Sequence, residues 1–398
     1  MNVNPDELKV EEKGLERKEA PPAPEAYALE RMGDYLVLNM GPQHPSTHGV
    51  LRLKLTLDGE IVVKLDPVIG YLHRSFEKMA ESQRWAQFIV DCNRADYAAS
   101  LHYEAAYVKA VEELLGLEPP PRAQFIRTIL LEFDRIQSHL LWLGTFGLDV
   151  GALNAFWYCF RERDLILNLL RTVTGARMHH NFFRFGGLKA DLPEGFVEEA
   201  QKVLDVLERK VDEYAEFLGT SDTFLLRTKG VGVLPRETAI SYGVTGPMLR
   251  ASGVAFDLRQ AEPYFAYSEV EFEIPVEEAG DTYARYLVRM EEMRQSCRII
   301  RQALKKMPDG PVILEGLEKG NQLLVKPEGE HYSRVEGPRG EIGVYIVGNG
   351  TTYPYRVKLR SPCFQNLSVL PEIGRGLIIP DLVATNGSID LCMGCVDR

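Results

Sequence analysis

Gly41-Pro42-Gln43-His44-Pro45-Ser46-Thr47-His48-Gly49 sits between two β-rich runs, Tyr35-Leu36-Val37-Leu38-Asn39 and Val50-Leu51-Arg52-Leu53-Lys54-Leu55-Thr56-Leu57. Pro42 and Pro45 remove backbone donors and push the residues before them out of the helical region, while Gly41 and Gly49 permit left-handed or closely approached backbone. The stretch therefore reads as a hairpin tip that presents His44 and His48. The second run alternates strictly, so one face is expected to be buried and the other wet. On the residues alone the two histidines are either a solvent-exposed turn or a site. A zinc reading is the weaker one. His-x-x-x-His binds metal well when a helix puts both rings on one face, and here the prolines deny the helix and no Glu stands where a general base would.

The rest of the composition bounds what such a loop serves. The chain has 398 residues, 45% of them hydrophobic and 26% charged, which are ordinary globular values and enough for a substantial core. A net charge of −11 argues against a nucleic-acid binder, which would carry a basic excess. No apolar run approaches the roughly 18 residues that a membrane span needs, so any membrane role is expected to be peripheral and through partners. Met1–Arg17 is charged throughout and lacks a signal-peptide core. Six scattered cysteines do not form a disulfide framework and suit a reducing cytosol.

Taken in order, residues 1–26 mix Glu, Lys and Pro without an aromatic residue and read as a flexible or partner-wrapping arm. Residues 27–66 form an N-terminal β region that carries the histidine loop, with a third strand over Ile61–Leu65. Helical periodicity governs 67–310. Helices are expected over 70–82, which carries His73 and Arg74, and over 96–115, stopped by Gly116 and Pro119-Pro120-Pro121. Further helices are expected over 122–146, about 152–173, 194–218, and 281–307 with Asp281 as N-cap. The 122–146 stripe is wide enough to imply burial on more than one side. Glycines and prolines thicken between 230 and 253, where irregular loop is expected. Residues 311–398 read as loops with short strands, notably 341–347 and 355–359. The fold class is thus α+β, mainly α: a small N-terminal sheet, a central helical bundle and an irregular C-terminal region with short strands.

Five stretches in this order carry a resemblance: the loop 41–49, Leu72-His73-Arg74, Gly175-Ala176-Arg177-Met178-His179, Leu249-Arg250-Ala251-Ser252-Gly253-Val254 and the ending Val396-Asp397-Arg398. From about residue 30 onward the chain resembles the quinone-site subunit of respiratory complex I, a family itself similar to the large subunit of nickel-iron hydrogenases. The resemblance implies a hydrogenase-large-subunit-like fold. It also implies a place at the cytoplasmic side of the cell membrane, peripheral to it, in a proton-translocating NADH-quinone oxidoreductase of the respiratory chain. The partners implied are an iron-sulfur subunit, a smaller companion subunit and a membrane-embedded subunit, with quinone as substrate. The iron-sulfur cluster would belong to a partner, since such a cluster needs about four cysteine ligands and no suitable set is present here.

Quinone reduction takes two electrons and two protons, so it needs proton donors beside the carbonyl oxygens. The resemblance gives the catalytic roles to His48, Tyr97 and Asp149. His48 would hydrogen-bond one carbonyl, Tyr97 would meet the headgroup, and Asp149 would pair with the loop histidine. Read without it, Tyr97 is an amphipathic tyrosine packed at a helix start and Asp149 a cap for the following helix. By the same resemblance His44 lies near quinone, and Arg74, Arg94 and His179 lie near the partner's cluster, where positive charge would favour its reduced state.

The ending Asp390-Leu391-Cys392-Met393-Gly394-Cys395-Val396-Asp397-Arg398 departs from this pattern and resembles the hydrogenase ending instead. Hydrogenases hold nickel and iron with two such cysteine pairs. At the positions of the first pair this chain has Asp96 and Ala99, so no metal is expected and Cys392 and Cys395 read as reduced thiols. The alternatives left open are a hydrogenase-like large subunit and a complex-I-like enzyme with a donor other than NADH.

Overall fold

The computed structural model describes residues 30–32, 34–318 and 320–398, so the arm expected over 1–26 lies outside the described residues. Four antiparallel strands, β1 (Glu30–Met32), β2 (Tyr35–Met40), β3 (Arg52–Asp58) and β4 (Ile61–Val68), pair in chain order. The alternation in β3 is realised: Leu53, Leu55 and Leu57 are buried while Lys54 and Asp58 face water. Leu55 stands between Leu38 of β2 and Leu65 of β4, so the leucine face closes over the helical layer.

The helical layer comprises α1 (Phe76–Ser82), α2 (Trp85–Ala95), α3 (Ser100–Leu115), α4 (Pro121–Asp149) and α5 (Leu153–Thr174). A two-residue ladder, β5 (Phe183–Arg184) with β6 (Gly187–Leu188), precedes α6 (Phe196–Gly219), α7 (Asp222–Thr228), α8 (Arg236–Ser241), α9 (Pro247–Arg250), α10 (Leu258–Ala261) and α11 (Thr282–Lys306). The C-terminal part holds the antiparallel sheet β7 (Glu328–Gly337), β8 (Gly340–Asn349) and β9 (Arg356–Arg360). Four short helices follow: α12 (Pro362–Ser368), α13 (Leu370–Gly374), α14 (Ile379–Ile389) and α15 (Met393–Asp397). Helix α4 is the axis of the bundle, packed against α3, α5, α11 and α14, which is why its apolar stripe is so wide. Gly116 and Gly175 end α3 and α5 in the left-handed conformation, and the Asp281 carboxylate caps α11 by accepting the Ala284 N–H at 2.7 Å.

Three local expectations are corrected. The helix read over 70–82 begins only at Phe76, because Gly70 and Ser75 stand at φ 107° and 59°, outside the helical region, while the Asp397 carboxylate holds the Gly70 and Leu72 amides at 2.9 and 2.7 Å; His73 and Arg74 therefore precede the helix. The helix read from Asp96 begins at Ser100, and an unread helix, α2, lies before it. Its signal was present in Trp85, Phe88, Ile89 and Cys92 at i, i+3, i+4 and i+7. Tyr97 thus stands in the turn between two helices and not at a helix start. Asp149 is the last residue of α4 and caps nothing on α5.

Behind the bundle axis lies a buried network of charges. Arg250 binds Glu292 of α11 and Glu336 of β7, the latter at 2.9 Å; Arg259 binds Asp257 at 2.6 Å and Glu132 of α4 at 3.1 Å; His139 meets Glu292 at 2.9 Å. All these groups are essentially inaccessible. The glycine-rich 230–253 segment is what delivers Arg250 into the bundle. Arg250→Ala leaves Glu292 and Glu336 without their cation and is expected to cost ~3–5 kcal/mol, read as a lowered denaturant midpoint. Burial opposes the charge of Glu132, but Arg135 and Arg259 with Ser296 and Tyr267 outweigh it and hold its pKa to about 2, against 4.5 for a free glutamate. A carboxylate held down in this way stabilises the fold fully above pH 4.5, and the contribution is lost as pH falls towards 2. Stability measured across that window is expected to fall, and the acid limb to flatten in Glu132→Gln.

Candidate active site

The loop between β2 and β3 makes one tight 3-10 turn, Pro45–Thr47, before His48. The Thr47 hydroxyl donates to the His44 carbonyl at 2.8 Å, and Asn386 of α14 donates its side-chain N–H to the Ser46 carbonyl at 2.9 Å. The turn is thereby tied to the helical layer. His48 leaves it with φ 51°, a conformation uncommon for a side chain larger than glycine, and its ring is swung onto the end of α4. There Nε2 lies 2.5 Å from Asp149 Oδ2. The pair is largely shielded, with side chains 12% and 8% exposed. Gly387 faces Asp149 so closely that a Cβ there would come within 2.6 Å of Oδ2.

Tyr97 reaches the same place from the α2–α3 turn. Asp96 fixes that turn by accepting the Ala98 and Ala99 amides at 3.1 and 3.2 Å through Oδ1, and its Oδ2 binds Arg339 at 2.8 Å. Arg339, at the β7–β8 turn, also binds Asp390 at 3.1 Å and the Asp390 carbonyl at 2.9 Å. His48, Tyr97 and Asp149 line one cavity of about 250 Å³, with Leu141, Trp142, Leu148 and Leu391 as apolar wall and Arg339, Asp390 and Cys392 at the back. The neighbouring Cys392 sulfur, burial and the Asp96 charge all push the Tyr97 phenol well above its ordinary pKa, so it is a protonated donor throughout the physiological range.

His44 does not join them. It is exposed, its Nδ1 accepts the Ser46 amide at 3.2 Å, and it lines a separate open recess of about 870 Å³ with Pro42, Gln43, Val50 and Tyr71. Arg74, Arg94 and His179 gather elsewhere, around the C-terminal end of α2. His179 Nδ1 meets the Asn93 carbonyl at 3.1 Å, and Arg74 donates to the Arg94 carbonyl at 2.6 Å. Terminal helix carbonyls attract such donors. The His179 loop, itself at φ 55°, is held from beneath by Glu104, which accepts the Phe183 amide and whose pKa burial pushes up to about 7.

Four residues of the cavity region went unread: Arg339, Asp390, Trp142 and Cys363. Arg339 and Asp390 matter through pairing across 243 and 51 residues, which leaves no local signal. Cys363, from α12, brings a third sulfur to the Cys392–Cys395 pair: the Cys392 amide points at Cys363 Sγ at 3.5 Å, and the Cys363 thiol lies against Cys395. Tyr103 and Ser361 place their hydroxyls 3.0 and 2.9 Å from Cys395 Sγ. Burial opposes ionisation of Cys395, yet these donors together hold its pKa below the ordinary thiol value, whereas burial raises Cys363 and Cys392. Among the described residues no group of three or more His, Cys, Asp or Glu side chains is arranged to hold a metal ion.

The family model of the respiratory-chain NADH dehydrogenase 49 kDa subunit matches residues 149–398. A subunit of the NADH-quinone oxidoreductase of Dehalococcoides mccartyi is 51% identical over 363 residues, 91% of this chain and 98% of that protein. A subunit of the NAD(P)H-quinone oxidoreductase of Gloeobacter violaceus is 47% identical over 392 residues, 93% and 99% of the two chains. Among solved structures, a chain of the membrane-bound sulfane sulfur reductase, an archaeal respiratory membrane complex, superposes with a TM-score of 0.88 at 36% identity, covering 92% of this chain and 99% of that one. With the family model spanning more than half the chain and full-length relatives near 50% identity, this chain belongs to the family of the 49 kDa subunit of respiratory-chain NADH dehydrogenase.

Proposed function

We propose that this chain forms the quinone chamber of a membrane-associated, proton-translocating NADH-quinone oxidoreductase, where electrons from an iron-sulfur partner reach quinone and protons are added. The observation that supports this most is the cavity in which a histidine–carboxylate pair and a protonated phenol face each other across apolar walls. Apolar walls suit a ring that must leave the lipid, and the polar groups are few and fixed. Tyr97 donates to one quinone carbonyl and His48 to the other. Asp149, bound to Nε2, sets which ring nitrogen faces the substrate and keeps the imidazole from turning. As the carbonyl oxygens gain charge on reduction, these donors move protons onto them, and the exclusion of water strengthens each hydrogen bond.

The remaining family positions fit a division of labour. The two guanidiniums of Arg74 and Arg94, with His179 beside them, suit an anionic cluster held by the iron-sulfur partner, which supplies electrons one at a time. That group is joined to the cavity through α2 and the turn that carries Tyr97. No helix among the described residues is long and apolar enough to cross a membrane, which fits a peripheral subunit beside a membrane-embedded partner and a smaller companion at the cytoplasmic face. The hydrogenase-like alternative has less support, because Asp96 is engaged by Arg339 and Ala99 offers only a methyl group where sulfur ligands would stand. Adding NADH or another carrier to the intact complex, with quinone reduction followed optically, identifies the donor.

Two variants test the cavity. Tyr97→Phe keeps the ring and removes the donor; quinone reduction is expected to fall by about 10²-fold while the complex assembles and its clusters are still reduced. Equal loss of assembly would show a packing role instead. Gly387→Ala thrusts a methyl against the Asp149 carboxylate, and is expected to lower kcat more than it raises KM, because the His48 ring loses its fixed partner while the cavity walls remain. An unchanged kcat in an assembled complex sinks the role given to the pair.

A further inference from the structure

The cavity mechanism makes no use of the three sulfurs behind it, although they converge from two separate helices. Cys392 forms part of the cavity wall beside Tyr97. Cys395 lies one turn further along, its amide 3.0 Å from the Cys392 carbonyl. That places the two Cα atoms about 5–6 Å apart, inside the ~4.4–6.8 Å that a disulfide spans. Cys395 Sγ is the focus of three groups able to donate to it, the Tyr103 and Ser361 hydroxyls at 3.0 and 2.9 Å and the Cys363 thiol. A buried sulfur surrounded by donors is prepared to carry negative charge, which is the nucleophilic form in disulfide chemistry. An inert core cysteine has no need of such an arrangement.

We propose that Cys392 and Cys395 are a redox-active dithiol that quinone bound in the cavity oxidises to an internal disulfide, with Cys363, Tyr103 and Ser361 as the groups that ready Cys395. The inference rests on the quinone-cavity reading above. The balance is complete without another reactant: the two thiols together give up two electrons and two protons, one S–S bond forms, and the quinone takes both electrons and both protons at its carbonyl oxygens to become quinol. The disulfide draws the Cys392 sulfur towards Cys395 and away from the Tyr97 hydroxyl. A quinone pool left oxidised thereby alters the wall of the chamber that reduces it.

The test uses the intact complex, purified without oxygen and given an excess of a short-chain benzoquinone with no electron donor. After an acid quench and denaturation, free thiols are alkylated with a maleimide and the C-terminal peptide is weighed. Cys392 and Cys395 are expected to escape alkylation until a reductant is added, Cys363 to be labelled, and quinol to appear in step with the disulfide. Cys395→Ser is expected to leave Cys392 fully labelled, and Tyr103→Phe, which keeps the ring, to slow the oxidation severalfold. If all three thiols are labelled while the same preparation reduces quinone with its donor, the dithiol is refuted and the quinone chamber stands. If they are labelled and no quinone is reduced, both fail. A Cys363–Cys395 bond, or a stoichiometric metal protecting the thiols, overturns the assignment as well.

Discussion

Arg339 is the constraint on which the site depends. Its guanidinium is 3% exposed and clamped between Asp96 and Asp390, so it joins the α2–α3 turn, the β7–β8 turn and the link from α14 to α15. A buried guanidinium is costly to desolvate and is tolerated only when its partners are well placed. The β7–β8 turn is driven into the bundle to achieve this: a Cβ on Gly246 would stand 2.5 Å from Gly340 Cα, and Asn366 donates to the Arg339 carbonyl at 2.9 Å. Asp96, fixed by Arg339 on one oxygen, uses the other to shape the turn that carries Tyr97. The orientation of the cavity phenol is thus inherited from a residue more than two hundred positions away.

The end of α2 connects two environments. Its last carbonyls hold His179 and Arg74 on one side, and three residues beyond Arg94 the chain places Tyr97 in the cavity. Three residues cannot span more than ~11 Å. Arg94 and the Tyr97 phenol therefore belong to one short segment, which ties the end of α2 directly to the wall of the cavity. The C-terminal helix closes the arrangement, since Asp397 grips the backbone at Gly70 and Leu72 while Cys392, just before that helix, backs the cavity.

The bundle and the first sheet were legible because they rest on periodicity. The leucine alternation of β3, the broad stripe of α4, the glycine stops after Leu115 and Thr174 and the Asp281 cap are local signals, and the structure keeps each of them. The unread helix α2 and the short helices α12–α15 are local elements, whereas in the other departures a distant group holds the chain. Residues 70–75 precede a helical stretch without joining it: Ser75 turns left-handed at φ 59°, and the Asp397 carboxylate holds the Gly70 and Leu72 amides away from the helix axis. Asp149 looks like a cap by position, yet its carboxylate is taken by a histidine 101 residues earlier.

From the sequence came the identity of the loop and its two histidines, because proline and glycine leave the backbone few alternatives there. The sequence also supplied, through resemblance, the names of residues that would act together. Only the tertiary structure separated His44 from His48, which differ by four positions and face different cavities, since a left-handed residue at 48 turns one ring inward while the other stays on the surface. It alone gathered Cys363 to Cys392 and Cys395, and Arg339 to Asp96 and Asp390. Contacts of this kind depend on how helices and turns pack, a property of the assembled chain that no local pattern of residues encodes.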